Sequence, residues 1–151
     1  SIELSREHLE PEAVAQAKAG ADLVINMIGY GALTFAAGAW VVGPLQNSAL
    51  QGAIGWLAAS FGLLFGAFYP MTQIYQHEED GRRGDLTLSR LVGVRGTFVF
   101  TALVFLITDV LFFWYYSVYV SQLQAWFFQL AILPPVLFFF YLFDFFIYFL
   151  Y

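Results

Sequence analysis

There is no cysteine among the 151 residues. Disulfides, thiol nucleophiles and cysteine metal sites are thereby excluded. Charge is scarce too. Only 11% of the residues are charged, against about 25% in a soluble globular domain. No Asp, Glu, Lys or Arg falls between residues 23 and 76, and only Asp109 and Asp144 follow residue 96. With six Lys and Arg in all and a formal charge of −5, the chain lacks the basic surface that nucleic acid requires.

What remains is apolar: 60% of residues are hydrophobic and 21% aromatic. A bilayer span needs about 20 mostly apolar residues. Segments near 22–43, 49–75, 97–120 and 125–151 meet that need. Each outruns a signal-peptide core and lacks a convincing cleavage site. The expectation is an all-α, polytopic transmembrane bundle of four spans, with the lipid bilayer as its solvent. Residues 1–20 form a polar surface segment and 21–151 the membrane domain. In the surface segment, Ser5 suits a helix cap and Pro11 the start of a second helix. The run to Leu150-Tyr151 stops with no flanking charge, so the chain is expected to continue.

The remaining arginines orient the bundle. Arg82, Arg83, Arg90 and Arg95 lie in the 77–96 connection, whereas the opposite turn at 44–48 carries no charge. The positive-inside bias makes 77–96 cytoplasmic, and residues 1–20, with Arg6 and Lys18, lie on the same side. Gly29, Gly31 and Gly38 suit close helix packing in lipid. Pro70 is expected to kink or break the second span, and Pro134-Pro135 the fourth. Trp114, Tyr115, Tyr116 and Trp126 read as interfacial anchors. Asp109 and Asp144 are costly in lipid and are expected to face the bundle or pair. Asn26 and Gln129 read as interhelical hydrogen-bonding residues.

The dense cluster of charge is Gln73-Ile-Tyr-Gln-His-Glu-Glu-Asp-Gly-Arg-Arg-Gly-Asp85. Read as a helix, Gln73, Gln76, His77 and Asp80 share one face. Asp85 is placed to cap a short helix over Leu86–Gly93. Two readings stand. One is a solvated loop with i, i+4 ion pairs, Glu78 to Arg82 and Glu79 to Arg83. The other is a metal–phosphate site, because Mg²⁺ favours one or two carboxylates plus substrate phosphate oxygens, and arginines hold phosphate in bidentate fashion.

Residues 73–93, Gln-Ile-Tyr-Gln-His-Glu-Glu-Asp-Gly-Arg-Arg-Gly-Asp-Leu-Thr-Leu-Ser-Arg-Leu-Val-Gly, resemble the second aspartate-rich motif of the UbiA-type intramembrane prenyltransferases. Asn26-Met-Ile-Gly-Tyr-Gly-Ala-Leu-Thr-Phe-Ala-Ala-Gly-Ala-Trp40 resembles a helix of the same family. The resemblance covers residues 18–100; beyond them only apolar spans correspond. It implies part of a nine-helix fold and a Mg²⁺-dependent transfer of an isoprenyl group from an isoprenyl diphosphate to a lipophilic acceptor. Diphosphate leaves, an allylic cation forms, and the acceptor attacks it.

Carried onto this sequence, the resemblance makes Asp80, Arg82 and Arg83 the catalytic candidates. Gln76, Glu78 and Asp80 become the metal candidates. Lys18, Asn26, Tyr69, Gln73 and Tyr75 are the candidate substrate contacts, the tyrosines offering π faces to a cation. The chain departs from the pattern at Gln76, where the family carries an Asp, and it has no first aspartate-rich motif. The resemblance therefore implies the second half of such an enzyme, inactive alone. The alternative is a non-catalytic membrane subunit of a larger complex derived from the same family.

Overall fold

The computed structural model describes the backbone of residues 2–42 and 48–150, and the side chains of 13–41, 52–145 and Tyr148. Ser5 and His8 carry no described side chain, and most of the turn expected at 43–48 lies outside the described residues. All described secondary structure is helical. The elements are α1 (Ile2–Asn26), a π-helical stretch (Met27–Leu33), α2 (Thr34–Val42), α3 (Ser48–Thr72), a 3₁₀ turn (Ile74–Gln76), α4 (His77–Arg83), α5 (Leu88–Tyr119) and α6 (Gln122–Leu150). Four helical stretches are long and apolar enough to cross a membrane: Ala13–Val41, Gly52–Arg83, Leu88–Tyr119 and Gln122–Phe145. The protein is an all-α chain with four candidate membrane spans.

Burial is inverted relative to a soluble protein. The buried side chains are mostly small or hydroxylic, among them Ala19, Ala67, Ser60, Thr97, Thr101 and Thr108, while Trp40, Val41, Leu123, Leu137 and Tyr148 are exposed. None of the most apolar stretch of α6 is buried. Small residues let backbones approach where lipid gives no drive to bury large ones. The hydroxyls are satisfied within the helices: Ser60 donates to the Trp56 carbonyl, Thr97 to Gly93 and Thr108 to Val104, at 2.8–2.9 Å. Thr101 instead crosses from α5 to α3 and donates to the Ala67 carbonyl at 2.7 Å.

The first span meets α3 at its glycines. A methyl group on Gly31 would lie 2.6 Å from Gly62 Cα and 3.0 Å from the Phe61 carbonyl oxygen. Two backbones touch there, and only glycine fits. Gly29 and Gly38, expected in the same role, have no such neighbour. The Gly-rich run over this crossing is wound as a π-helix, and the Thr34 hydroxyl donates to the Gly29 carbonyl five residues back at 3.0 Å.

Local expectations fare unevenly. α1 runs through Pro11 without a second start. α6 is continuous through Pro134 and Pro135, so that span is not broken. α3 runs through Pro70 to Thr72 and then tightens into the 3₁₀ turn. Asp85 is not the cap of the next helix. Thr87, in extended conformation, precedes Leu88, and Gly93 at φ 71°, ψ 173° kinks the chain five residues later. The anchors Trp114, Tyr115 and Tyr116 gather with Tyr119, Trp56 and Phe128 where α5 meets α6, at the end of α5 away from the charged segment.

Candidate functional site

The charged segment sits where α3 ends and α5 begins. A 3₁₀ turn over Ile74–Gln76 breaks the helical register before α4, so residues 73–80 do not form one α-helical face. α4 closes at Gly84, whose φ of 73° provides the left-handed cap, and the Asp85 N–H returns to the Asp80 carbonyl at 2.9 Å. Arg90, at the start of α5, donates to the Asp85 carbonyl and lies over Gly81. These contacts fold the 84–87 turn back against α4.

α4 presents two faces. Residues two apart in a helix point in opposite directions, so Glu78 and Asp80 cannot share a ligand without rearrangement. The outer face carries Tyr75, Glu78, Glu79, Arg82 and Arg83 around an open depression of about 380 Å³. Arg82 donates to Glu78 and Arg83 to Glu79, all four being well exposed. Gln76 is exposed as well, its amide donating to the Tyr75 hydroxyl at 3.3 Å.

The inner face carries His77 and Asp80, one turn apart, with Ser89 of α5 against His77. Gln73 is 7% exposed and Ser89 fully buried. His77 Nε2 and Ser89 Oγ share a hydrogen bond of 2.6 Å. The Arg90 guanidinium and the Asp80 carboxylate both lie near the ring. Three buried polar atoms here have no hydrogen-bond partner: Gln73 Oε1, Asp80 Oδ2 and Thr87 Oγ1. A buried oxygen left unpaired costs about 1–3 kcal/mol.

The predicted residues therefore separate. Of the catalytic set, Asp80 faces inward, whereas Arg82 and Arg83 face solvent with their charge met by their own helix. Of the metal set, Gln76 and Glu78 lie outside and only Asp80 inside. Among the described residues, no three His, Cys, Asp or Glu side chains gather to hold a metal ion. The donors that fit Mg²⁺ are Asp80 Oδ2 and the amide oxygen of Gln73. Both are hard oxygens, as few as Mg²⁺ accepts when phosphate completes its shell.

Among the substrate candidates, Lys18 reaches the segment from α1, its Nζ 3.8 Å from Asp85 Oδ1. Asn26 and Tyr69 come together. With Tyr30, Phe65, Phe68 and Thr72 they line a cavity of about 280 Å³ just membrane-ward of Gln73. The Asn26 amide donates to the Asp22 carbonyl at 2.7 Å, which fixes it on its own helix. Tyr75 lies apart from them, on the outer face. Ser89, Tyr30 and Phe65 carry no signal in the sequence. The twelve-residue His77–Ser89 spacing has no local signature, and the aromatics are lost among many. Of the intramembrane polar residues, Asp109 accepts from the Gln129 amide of α6 at 3.0 Å. No protein family, curated protein or solved structure matches the chain.

Proposed function

We propose that this chain forms the second diphosphate-binding half of a Mg²⁺-dependent intramembrane prenyltransferase of the UbiA type. The whole enzyme would move an isoprenyl group from an isoprenyl diphosphate to a lipophilic acceptor within the nine-helix fold, with residues 77–96 on the cytoplasmic side. The observation that supports the reading most is the buried carboxylate oxygen of Asp80 that has no hydrogen-bond partner. Asp80 follows the end of α3, whose last residues, Tyr69 and Thr72, line an aromatic cavity. Asp80 and Gln73 would hold Mg²⁺, which supplies positive charge to a diphosphate leaving group. Lys18 and Arg90 lie close enough to this segment to add to that charge. His77 and Ser89, tied together, hold α4 against α5 and so aim Asp80 inward. The charge of the first aspartate-rich motif has to come from residues outside these 151, because a leaving group needs preorganised charge on more than one side.

The second reading is a non-catalytic subunit of a larger membrane complex. Its support is the internal neutralisation of Arg82 and Arg83 and the exposed apolar face of α6. One experiment separates the two. Isoprenyl diphosphate is titrated into the purified chain in detergent, with and without Mg²⁺. The enzyme reading expects binding that needs Mg²⁺ and is lost in Asp80→Asn. Absence of Mg²⁺-dependent binding, in the chain alone and with the upstream half added, moves the subunit reading to first place.

A further inference from the structure

Asp109 lies deep in the apolar part of α5. At the helical rise it is about 21 Å from Arg95 and about 15 Å from the end of the helix at Tyr119. No Lys or Arg follows Arg95 in the sequence, and none falls between residues 19 and 81. Lys18, Arg82, Arg83 and Arg90 meet their partners in the charged segment. The Gln129 amide gives the Asp109 carboxylate a neutral donor at 3.0 Å, and among the described residues no cation pairs with it. Intramembrane carboxylates are costly, and they face a cavity or pair with an opposite charge.

Asp109 does face a cavity. It lines a space of about 300 Å³ between α3, α5 and α6. The walls are aromatic: Phe68 of α3, Phe105 of α5, and Phe139 and Phe140 of α6. Phe68 meets Phe105 edge-on at 5.8 Å, and Phe139 meets Phe140 edge-on at 5.7 Å. The other polar side chain of the lining is Thr101. Its hydroxyl proton is committed to the Ala67 carbonyl. An ionised carboxylate only accepts hydrogen bonds. The lining side chains therefore offer negative charge and an acceptor, with no free donor beside them.

We propose that this cavity is a site for an apolar molecule carrying a protonated amine, with Asp109 as its counter-ion. Three features select that class. The carboxylate has no cation from its own chain, and an ammonium supplies the charge that the Gln129 amide does not. The phenylalanine rings present π faces, which attract a cation. Leu106 and Phe140 belong to the lining yet are largely exposed on the apolar surface of the helices, so a molecule dissolved in the bilayer enters sideways. An alcohol of the same length could donate to the carboxylate but would leave its charge unmatched. The inference does not rest on the prenyltransferase reading, since no residue of the charged segment takes part.

The test places the full chain in nanodiscs of phosphatidylcholine. It is photolabelled with a long-chain primary amine that carries a diazirine in its chain, and with the corresponding alcohol. Labelled peptides are located by mass spectrometry. Labelling of the cavity stretches of α5 and α6 by the amine should be competed by unlabelled amine. It should exceed labelling by the alcohol by about tenfold, the worth of a hydrogen bond to a charged group. In Asp109→Asn it should fall to the level of the alcohol, because Asn keeps the size of the side chain and an oxygen for Gln129 but removes the charge. Ala102→Leu fills the cavity, which Ala102 also lines, and leaves the carboxylate in place. It should lower amine labelling similarly, and it carries the test if Asp109→Asn does not fold. Equal labelling by amine and alcohol, or amine labelling unchanged in Asp109→Asn, overturns the counter-ion. Amine labelling unchanged in Ala102→Leu, or confined to residues 77–96, overturns the site.

Discussion

On the exposed face of α4, Glu78 and Glu79 each meet an arginine one turn along. On the inner face the half-buried Asp80, two residues from Glu78, keeps an oxygen with no partner. The same side-chain chemistry thus serves two ends. Exposed ion pairs of this kind are worth little, because water and salt screen them and the long side chains lose freedom. A carboxylate oxygen shut away from water without a partner is costly. The proposed function rests on the face with the unpartnered oxygen, rather than on the face with more charge.

Substitutions can break or sharpen that contrast. The largest effect is expected at Asp80. In the whole prenyltransferase that the proposed function implies, Asp80→Asn should lower turnover by orders of magnitude while leaving the thermal unfolding transition in place. Unchanged turnover removes Asp80 from the site. Next is the brace behind it. Ser89→Ala deletes the 2.6 Å contact to His77 and should cost about 1 kcal/mol of stability, measured by denaturant unfolding in detergent; no loss would mean that α4 is held by other contacts. On the outer face, a double-mutant cycle of Glu78→Ala and Arg82→Ala should give a coupling of only about 0.3–0.5 kcal/mol. A coupling several times larger would mean that the outer pair is structural after all. Smallest is Gln76→Asp. Its position is exposed and bonded to Tyr75, so Mg²⁺ affinity should not change, and a rise would place residue 76 in the metal's shell.

The spans were legible in the sequence because four apolar runs in series leave bilayer as the solvent, and helices satisfy their own backbone there. The charged segment was legible as a location but not as two faces. Its density of carboxylates drew Gln76, Glu78 and Asp80 into one set, although a helix places residues 78 and 80 apart. The 3₁₀ turn after Thr72 then carried Gln76 outward, and nothing local announces that change of gauge. The pairing of His77 with Ser89 depends on how the 84–87 turn folds back, through Gly84 and the Arg90–Asp85 contact. The aromatic cavity beside Tyr69 is illegible for another reason. Tyr30 and Phe65 are aromatic residues in an aromatic-rich chain, and only the Gly31–Gly62 crossing brings them face to face. Asn26 and Tyr69, named from the resemblance, do meet in space.

The most direct test of the two-faced segment is Mn²⁺ binding, as a spectroscopic substitute for Mg²⁺, to the full chain with inorganic diphosphate present. Electron paramagnetic resonance would follow the bound ion in the unsubstituted chain, Asp80→Asn and Glu78→Gln. The account predicts that Asp80→Asn weakens the bound signal by about tenfold to a hundredfold, the worth of a hydrogen bond or contact to a charged group, and that Glu78→Gln leaves it intact. Loss in Glu78→Gln with retention in Asp80→Asn would contradict it and put the site on the solvent face.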